Sequence, residues 1–183
     1  LLKMLHDWRD EVDAKMPYPK TATSKPAKGS RVINAKPNNP PKAGSNLPAD
    51  VATFALGWKV RDWGGPAMKP GLRTQWDGRK KVLLTHPLSK TVPCVLSRKI
   101  EVPEGKKTTL ELEVTNHPKG NWKLVVLING KEALGRDIDE TKWRKFQIDL
   151  SKHAGKTVKV ELLNQATGWS HEAAYWSRIE LVH

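Results

Sequence analysis

Residues 108–115 read TTLELEVT. Leu110, Leu112 and Val114 alternate with Thr109, Glu111, Glu113 and Thr115. That period of two puts one set of side chains on a buried face and the other in water, so the stretch predicts a strand with one wet side. The pattern spreads outward from there. Upstream, residues 94–102 set Cys94, Leu96, Arg98, Ile100 and Val102 at alternate positions, and Pro103 ends the run. Downstream, residues 122–128 read WKLVVLI, apolar nearly throughout, as a central strand requires. Asn129-Gly130 follows at once, a pair that favours the two positive φ angles of a tight hairpin. Phe146, Ile148 and Leu150 are expected inward in 144–150, and Val158, Val160 and Leu162 in 156–163. In the last segment, 175–182, Tyr175, Ile179 and Leu181 are expected on one face. Turns rich in Pro, Gly and Asn fall at 103–105, 116–120 and 151–155. Many short strands with regular turns predict an all-β domain over 51–183, a β-sandwich of jelly-roll type long enough to bury a sizeable core.

The first fifty residues read differently. Leu1, Leu5, Trp8 and Val12 lie at helical spacing with charges between them, so 1–16 are expected to be the end of an amphipathic helix, stopped by Pro17 and Pro19. Because the chain opens inside a helical pattern, it reads as a piece of a longer protein whose preceding domain this helix packs on. Residues 17–50 are Pro, Lys, Ala, Asn and Ser with little apolar surface, and are expected to be a linker.

Composition narrows the chemistry. No run of 18 or more apolar residues occurs, so no membrane-spanning helix is expected. One cysteine among 183 residues excludes an internal disulfide framework and a Cys-rich zinc site. Cys94, at the head of a strand pattern, reads as a small buried hydrophobe. No G-x-S-x-G elbow, phosphate-cradling glycine loop or H-E-x-x-H is present, so an enzyme is not expected within this segment. The formal charge of +13 attracts polyanions. Lys and Arg are spread along the chain, with Arg79-Lys80-Lys81 and Lys106-Lys107 the tight clusters. No recognition helix, zinc-finger spacing or RNP-type aromatic motif accompanies them, which argues against a nucleic-acid partner. Asp62, Asp77, Glu104, Asp137, Asp139 and Glu180 could supply oxygens to a structural calcium, but they are scattered and lack EF-hand spacing.

Eight tryptophans stand beside two Phe and two Tyr. Trp58, Trp63 and Trp76 fall in the stretch GWKVRDWGGPAMKPGLRTQW, which has poor strand periodicity, and Trp169 falls in the loop NQATGWSHEAAYW. Indoles on loops can stack on the C–H face of a sugar ring or plug the ends of the sandwich. Trp122, Trp143 and Trp176, in or beside strands, read as packing residues. Around Trp169 lie Asn164, Gln165, Ser170, His171 and Glu172, the donors and acceptors a sugar site needs beside an aromatic face. His171 and Glu172 could form an acid–base pair, but neighbours on a strand point to opposite faces. Glu172 alone suits an anchor for its own loop.

Two resemblances add to this reading. Residues 1–20, LLKMLHDWRDEVDAKMPYPK, resemble the C-terminal tail of secreted bacterial sulfatases through Leu2, Leu5, Trp8, Arg9, Ala14, Met16, Pro17 and Pro19. The sulfatase nucleophile motif, Cys/Ser-x-Pro-x-Arg, is missing, so this resemblance implies an active site upstream of Leu1. Residues 51–183 are similar to galactose-binding-like jelly rolls, through VPEGKKTTLELEV, GNWKLVVLINGKE, IDLSKHAGKTVKVELL and HEAAYWSRIELV. That similarity implies a non-catalytic accessory module that binds polysaccharide through loops at one end of the sandwich, often with a structural calcium. Together they imply a secreted or periplasmic setting. The expected site is Trp169 or Trp58 as stacking platform, with Asn164, His171 and Glu172 bonding hydroxyls and nearby Lys and Arg favouring anionic or sulfated glycan. The alternatives are a module that only packs on its catalytic neighbour, and a nucleic-acid-binding protein.

Overall fold

The computed structural model describes residues 46–183. The expected helix at 1–16 and most of the linker lie outside the described residues. The element order is α1 (Leu47–Phe54), β1 (Lys59–Arg61), β2 (Gly71–Trp76), β3 (Arg79–Thr85), β4 (Cys94–Glu101), β5 (Thr109–Asn116), β6 (Trp122–Ile128), β7 (Lys131–Ile138), β8 (Arg144–Asp149), β9 (Thr157–Gln165) and β10 (Ala174–Val182).

The strands form two antiparallel sheets of five, ordered β1-β4-β9-β6-β7 and β2-β3-β10-β5-β8. From β3 onward nearly every connection carries the chain from one sheet to the other, as in a jelly roll. The sandwich is therefore the fold its alternation predicted. Leu110, Leu112 and Val114 of β5 face Leu96, Leu124, Val126, Val160 and Leu162 of the opposite sheet in one core. Trp122 and Trp176 meet at its centre, ring centroids 5.4 Å apart, and both are fully buried. Each buried indole N–H finds an acceptor, Trp122 at the Thr115 carbonyl (3.2 Å) and Trp176 at Thr85 Oγ1 (2.9 Å). Pairing them avoids the cost of an orphaned buried donor, on the order of 1–3 kcal/mol each.

Three expectations are corrected. The module does not begin at 51: Leu47 and Val51 of α1 are fully buried in the main core, so the helix closes one end of the sandwich. Pro48 suits the first turn of this helix, and the Asp50 carboxylate accepts the Leu72 N–H at 3.1 Å, tying α1 to β2. The Gly/Pro-rich stretch is also not irregular throughout. Residues 71–85 form a β2–β3 hairpin whose turn, Asp77-Gly78, has φ of 42° and 74°. Third, Tyr175 does not share a face with Ile179 and Leu181. The β10 register shifts between Trp176 and Arg178, a bulge that turns the alternation over. Trp176, Ile179 and Leu181 pack with the core, and Tyr175 lies on the opposite face of its sheet with Val82 and Leu84, under Trp76.

Replacing Leu47 by alanine is expected to cost about 2–5 kcal/mol, the range for a fully buried leucine. Urea unfolding read by far-ultraviolet circular dichroism measures it. A change near zero would show that α1 is not part of the folded unit.

Candidate functional site

The end of the sandwich carrying the β9–β10 loop, 166–173, gathers Asn164, Trp169, His171 and Glu172, but it gives them different roles. Asn164 is fully buried on the inner face of β9, where its amide donates to the Thr85 carbonyl (3.1 Å), Thr85 Oγ1 (3.2 Å) and the Glu172 carbonyl (3.3 Å). It joins the two sheets and the loop, and does not reach solvent. Glu172 is 1% exposed. Its carboxylate accepts the Thr167 N–H (3.0 Å) and the Gly168 N–H (2.9 Å), charge-assisted bonds that fix the loop. It is the loop anchor its sequence position suggested, not a ligand for hydroxyls.

Trp58 is corrected too. It is 3% exposed and packs in the core beside Leu47, Val51 and Ala55, because α1 delivers it there. A ring so covered offers no stacking face. Trp63, half-buried, packs against the same core and bridges to Pro87.

Trp169 remains. It is 45% exposed, and no other Trp, Tyr or Phe among the described residues is exposed. Its ring meets His86 edge-on, centroids 5.5 Å apart at 78°. The loop beneath it is tied to the β5–β6 turn, where Thr167 Oγ1 donates to Asn121 Oδ1 at 2.8 Å. Gly120 of that turn lies directly against the Ser170 and His171 carbonyls, in a space a Cβ could not enter.

His171, with φ of 57°, does not pair with Glu172. Its ring stacks on His117 of the β5–β6 turn, centroids 4.6 Å apart and 18° from parallel. The stack continues through His117–Trp76 (6.2 Å) to Trp76–Tyr175 (4.0 Å, 10°). A ladder of four rings thus runs from the outer face of the β10 sheet to the Trp169 loop. Sequence reading missed it, although Asp77-Gly78 between two strand-like runs was a hairpin signal that brings Trp76 over Tyr175.

Burial, His171 and the Lys119 ammonium depress the His117 pKa below its ordinary 6.5. Burial likewise holds His86 low, against the opposing pull of the Pro87 carbonyl and Glu172. The buried Cys94 thiol is pushed up to about 12, chiefly by desolvation, which fits the inert role expected of it. The carboxylates proposed for calcium do not converge. Among the described residues no three His, Cys, Asp or Glu side chains group to hold a metal ion. Asp62 and Glu180 are instead paired with Arg61 and Arg178. No helix of the described residues is long and apolar enough to cross a membrane.

No protein-family model matches the chain, and no curated protein matches it. Among solved structures it is similar to a family 35 carbohydrate-binding module from an environmental isolate. That match has 15% identity and a TM-score of 0.48, and spans 70% of this chain and 88% of that one. It is also similar to the CBM22-1 xylan-binding domain of Paenibacillus barcinonensis Xyn10C, at 18% identity and a TM-score of 0.47, spanning 69% and 85%. A third match is the secreted serine protease VesC of Vibrio cholerae, at 14% identity and a TM-score of 0.48, spanning 75% of this chain and 28% of that one. At this level the likeness assigns no ligand and no residue role.

Two outcomes are expected. Glu172→Ala should cost about 1–3 kcal/mol, because two N–H groups lose their acceptor, and should speed hydrogen exchange at Thr167 and Gly168. An unchanged exchange rate there would remove the anchor role. A histidine whose folded pKa is depressed takes up its proton more readily unfolded, so stability is full above about pH 6.5 and falls as pH drops from there toward the folded value. The melting temperature should therefore decline between pH 7 and 5, and less so in His117→Asn. Equal slopes in the two proteins would show that the imidazole stack does not contribute.

Proposed function

We propose that residues 46–183 form a polysaccharide-binding module in which Trp169 is the stacking platform. The observation that carries this reading is an indole left open to solvent on a loop held rigid by a buried carboxylate. Large aromatic side chains are normally covered, and leaving this one 45% exposed forgoes part of the stabilisation that full burial would give. Fixing its loop in advance reduces the entropy lost when a ring-shaped ligand docks. Beside the indole, exposed Gln165, Ser170 and Asn121 and the part-exposed His171 offer hydrogen-bonding groups to hydroxyls. Asn164 and Glu172 act one step back, by holding the loop.

The wider setting is an accessory module of a secreted sulfatase-type hydrolase, supported by the tail-like residues 1–20. The net positive charge favours anionic glycan. Affinity electrophoresis in gels containing sulfated, uronic, neutral or no polysaccharide tests the reading. Retardation by one glycan class is expected, reduced about tenfold in apparent affinity by Trp169→Ala and only partly by Trp169→Phe. Retardation by every polyanion, abolished by salt and untouched at Trp169, would mean that charge alone is acting. No retardation in any gel would favour a module that only packs on its neighbour.

A further inference from the structure

β3 and β10 pair over only three positions, Thr85↔Ala174, Leu84↔Tyr175 and Leu83↔Trp176. Beyond Leu83 and Trp176 the ladder stops, and a groove of ≈ 450 Å³ opens there, closed at one side by Phe54–Leu56. Both strands are irregular at this level. Lys81 of β3 has φ of 55°, left-handed backbone that a lysine rarely adopts. β10 carries its bulge between Trp176 and Arg178.

These two irregularities have one effect. Consecutive residues of a regular strand point to opposite faces. Here Lys80 and Lys81 line the same groove, and so do Ser177, Arg178, Ile179 and Glu180. The two breaks in alternation bring Lys80 and Lys81 of one strand beside Arg178 of the other at this groove. Strain of this kind gathers at functional positions, and bulges re-aim side chains beside sites.

The charges around the groove are also sorted. Glu113 accepts from Arg79 at 3.0 and 3.2 Å and from Ser177 at 2.6 Å. Glu111 and Glu180 both pair with Arg178, at 2.6 and 3.4 Å. Each of these carboxylates is thus engaged by an arginine, including Glu180, which itself lines the groove. Lys80 and Lys81 make no ion pair among the described residues. Leu56, 84% exposed at the rim, adds an apolar edge.

The geometry points to this groove as a subsite for the sulfate or carboxylate group of an anionic glycan, read by Lys80 and Lys81 beside Arg178. It rests on the glycan-binding reading but not on the Trp169 loop. The test is titration calorimetry of the full chain against a chondroitin sulfate oligosaccharide, an oligogalacturonate and a neutral xylo-oligosaccharide. Melting temperatures show that each variant is folded.

Lys80→Gln/Lys81→Gln should weaken binding of an anionic oligosaccharide by about tenfold or more, leaving neutral binding unchanged. Lys80→Arg/Lys81→Arg should restore it, and the distant pair Lys106→Gln/Lys107→Gln should have little effect. Equal losses in the two glutamine pairs, or no loss in the first, would overturn the subsite. Duplex DNA bound as tightly through the same lysines would overturn it in favour of a phosphate backbone. Neutral binding that needs Trp169 but ignores the lysines sinks only the groove. Anionic binding that needs the lysines but ignores Trp169 sinks only the platform. No binding to any of the three oligosaccharides sinks both.

Discussion

A single threonine hydroxyl joins the two sheets to the loop at their end. Thr85 Oγ1 lies between the Trp176 indole N–H and the Asn164 amide, and the same amide reaches the Glu172 carbonyl. All of these groups are buried. In a medium of low polarity such bonds strengthen, and breaking one strands its partner. The central tryptophan, the register of β9 against the other sheet and the path of the 166–173 loop therefore share one set of constraints. The exposed Trp169 keeps its place because a polar network inside the core holds the loop from beneath.

Much of this architecture was legible in alternation. TTLELEVT, the WKLVVLI run and the Asn-Gly turn each state locally what the fold does globally, and such agreement between levels marks a sequence that specifies one structure. What was not legible lay where alternation breaks. Period-two counting carries Tyr175 through to Leu181 on one face, but one extra residue at the bulge reverses it. The bulge follows from the pairing of β10 with β5, a contact distant in sequence. The β2–β3 hairpin was hidden by the glycines and prolines before it, although its Asp-Gly turn was in view. Helix α1 straddles the expected boundary between linker and sandwich, because the proline- and lysine-rich composition before Leu47 hides two turns of apolar spacing.

The candidate site was legible in kind more than in role. Loop composition singled out Trp169, His171, Glu172 and Asn164, and the structure does bring them to one end. Burial then divides them, with Trp169 outward, His171 in a ring stack, and Asn164 and Glu172 within. Burial of a polar residue depends on partners elsewhere in the chain, here Thr85 and the backbone of 167 and 168. Trp58 shows the same limit for an aromatic residue, since its burial depends on a core assembled from α1 and both sheets.

Cys94 has a practical consequence. It is the only thiol in the chain, it sits in the core at the start of β4, and desolvation keeps it protonated far above neutral pH. Thiols react through the thiolate. A cysteine engineered onto the surface would therefore take up a maleimide dye or spin label alone while the native protein stayed folded. Attachment points at the loop end and beside the β3–β10 groove could then be compared on one scaffold, with no need to remove the natural residue.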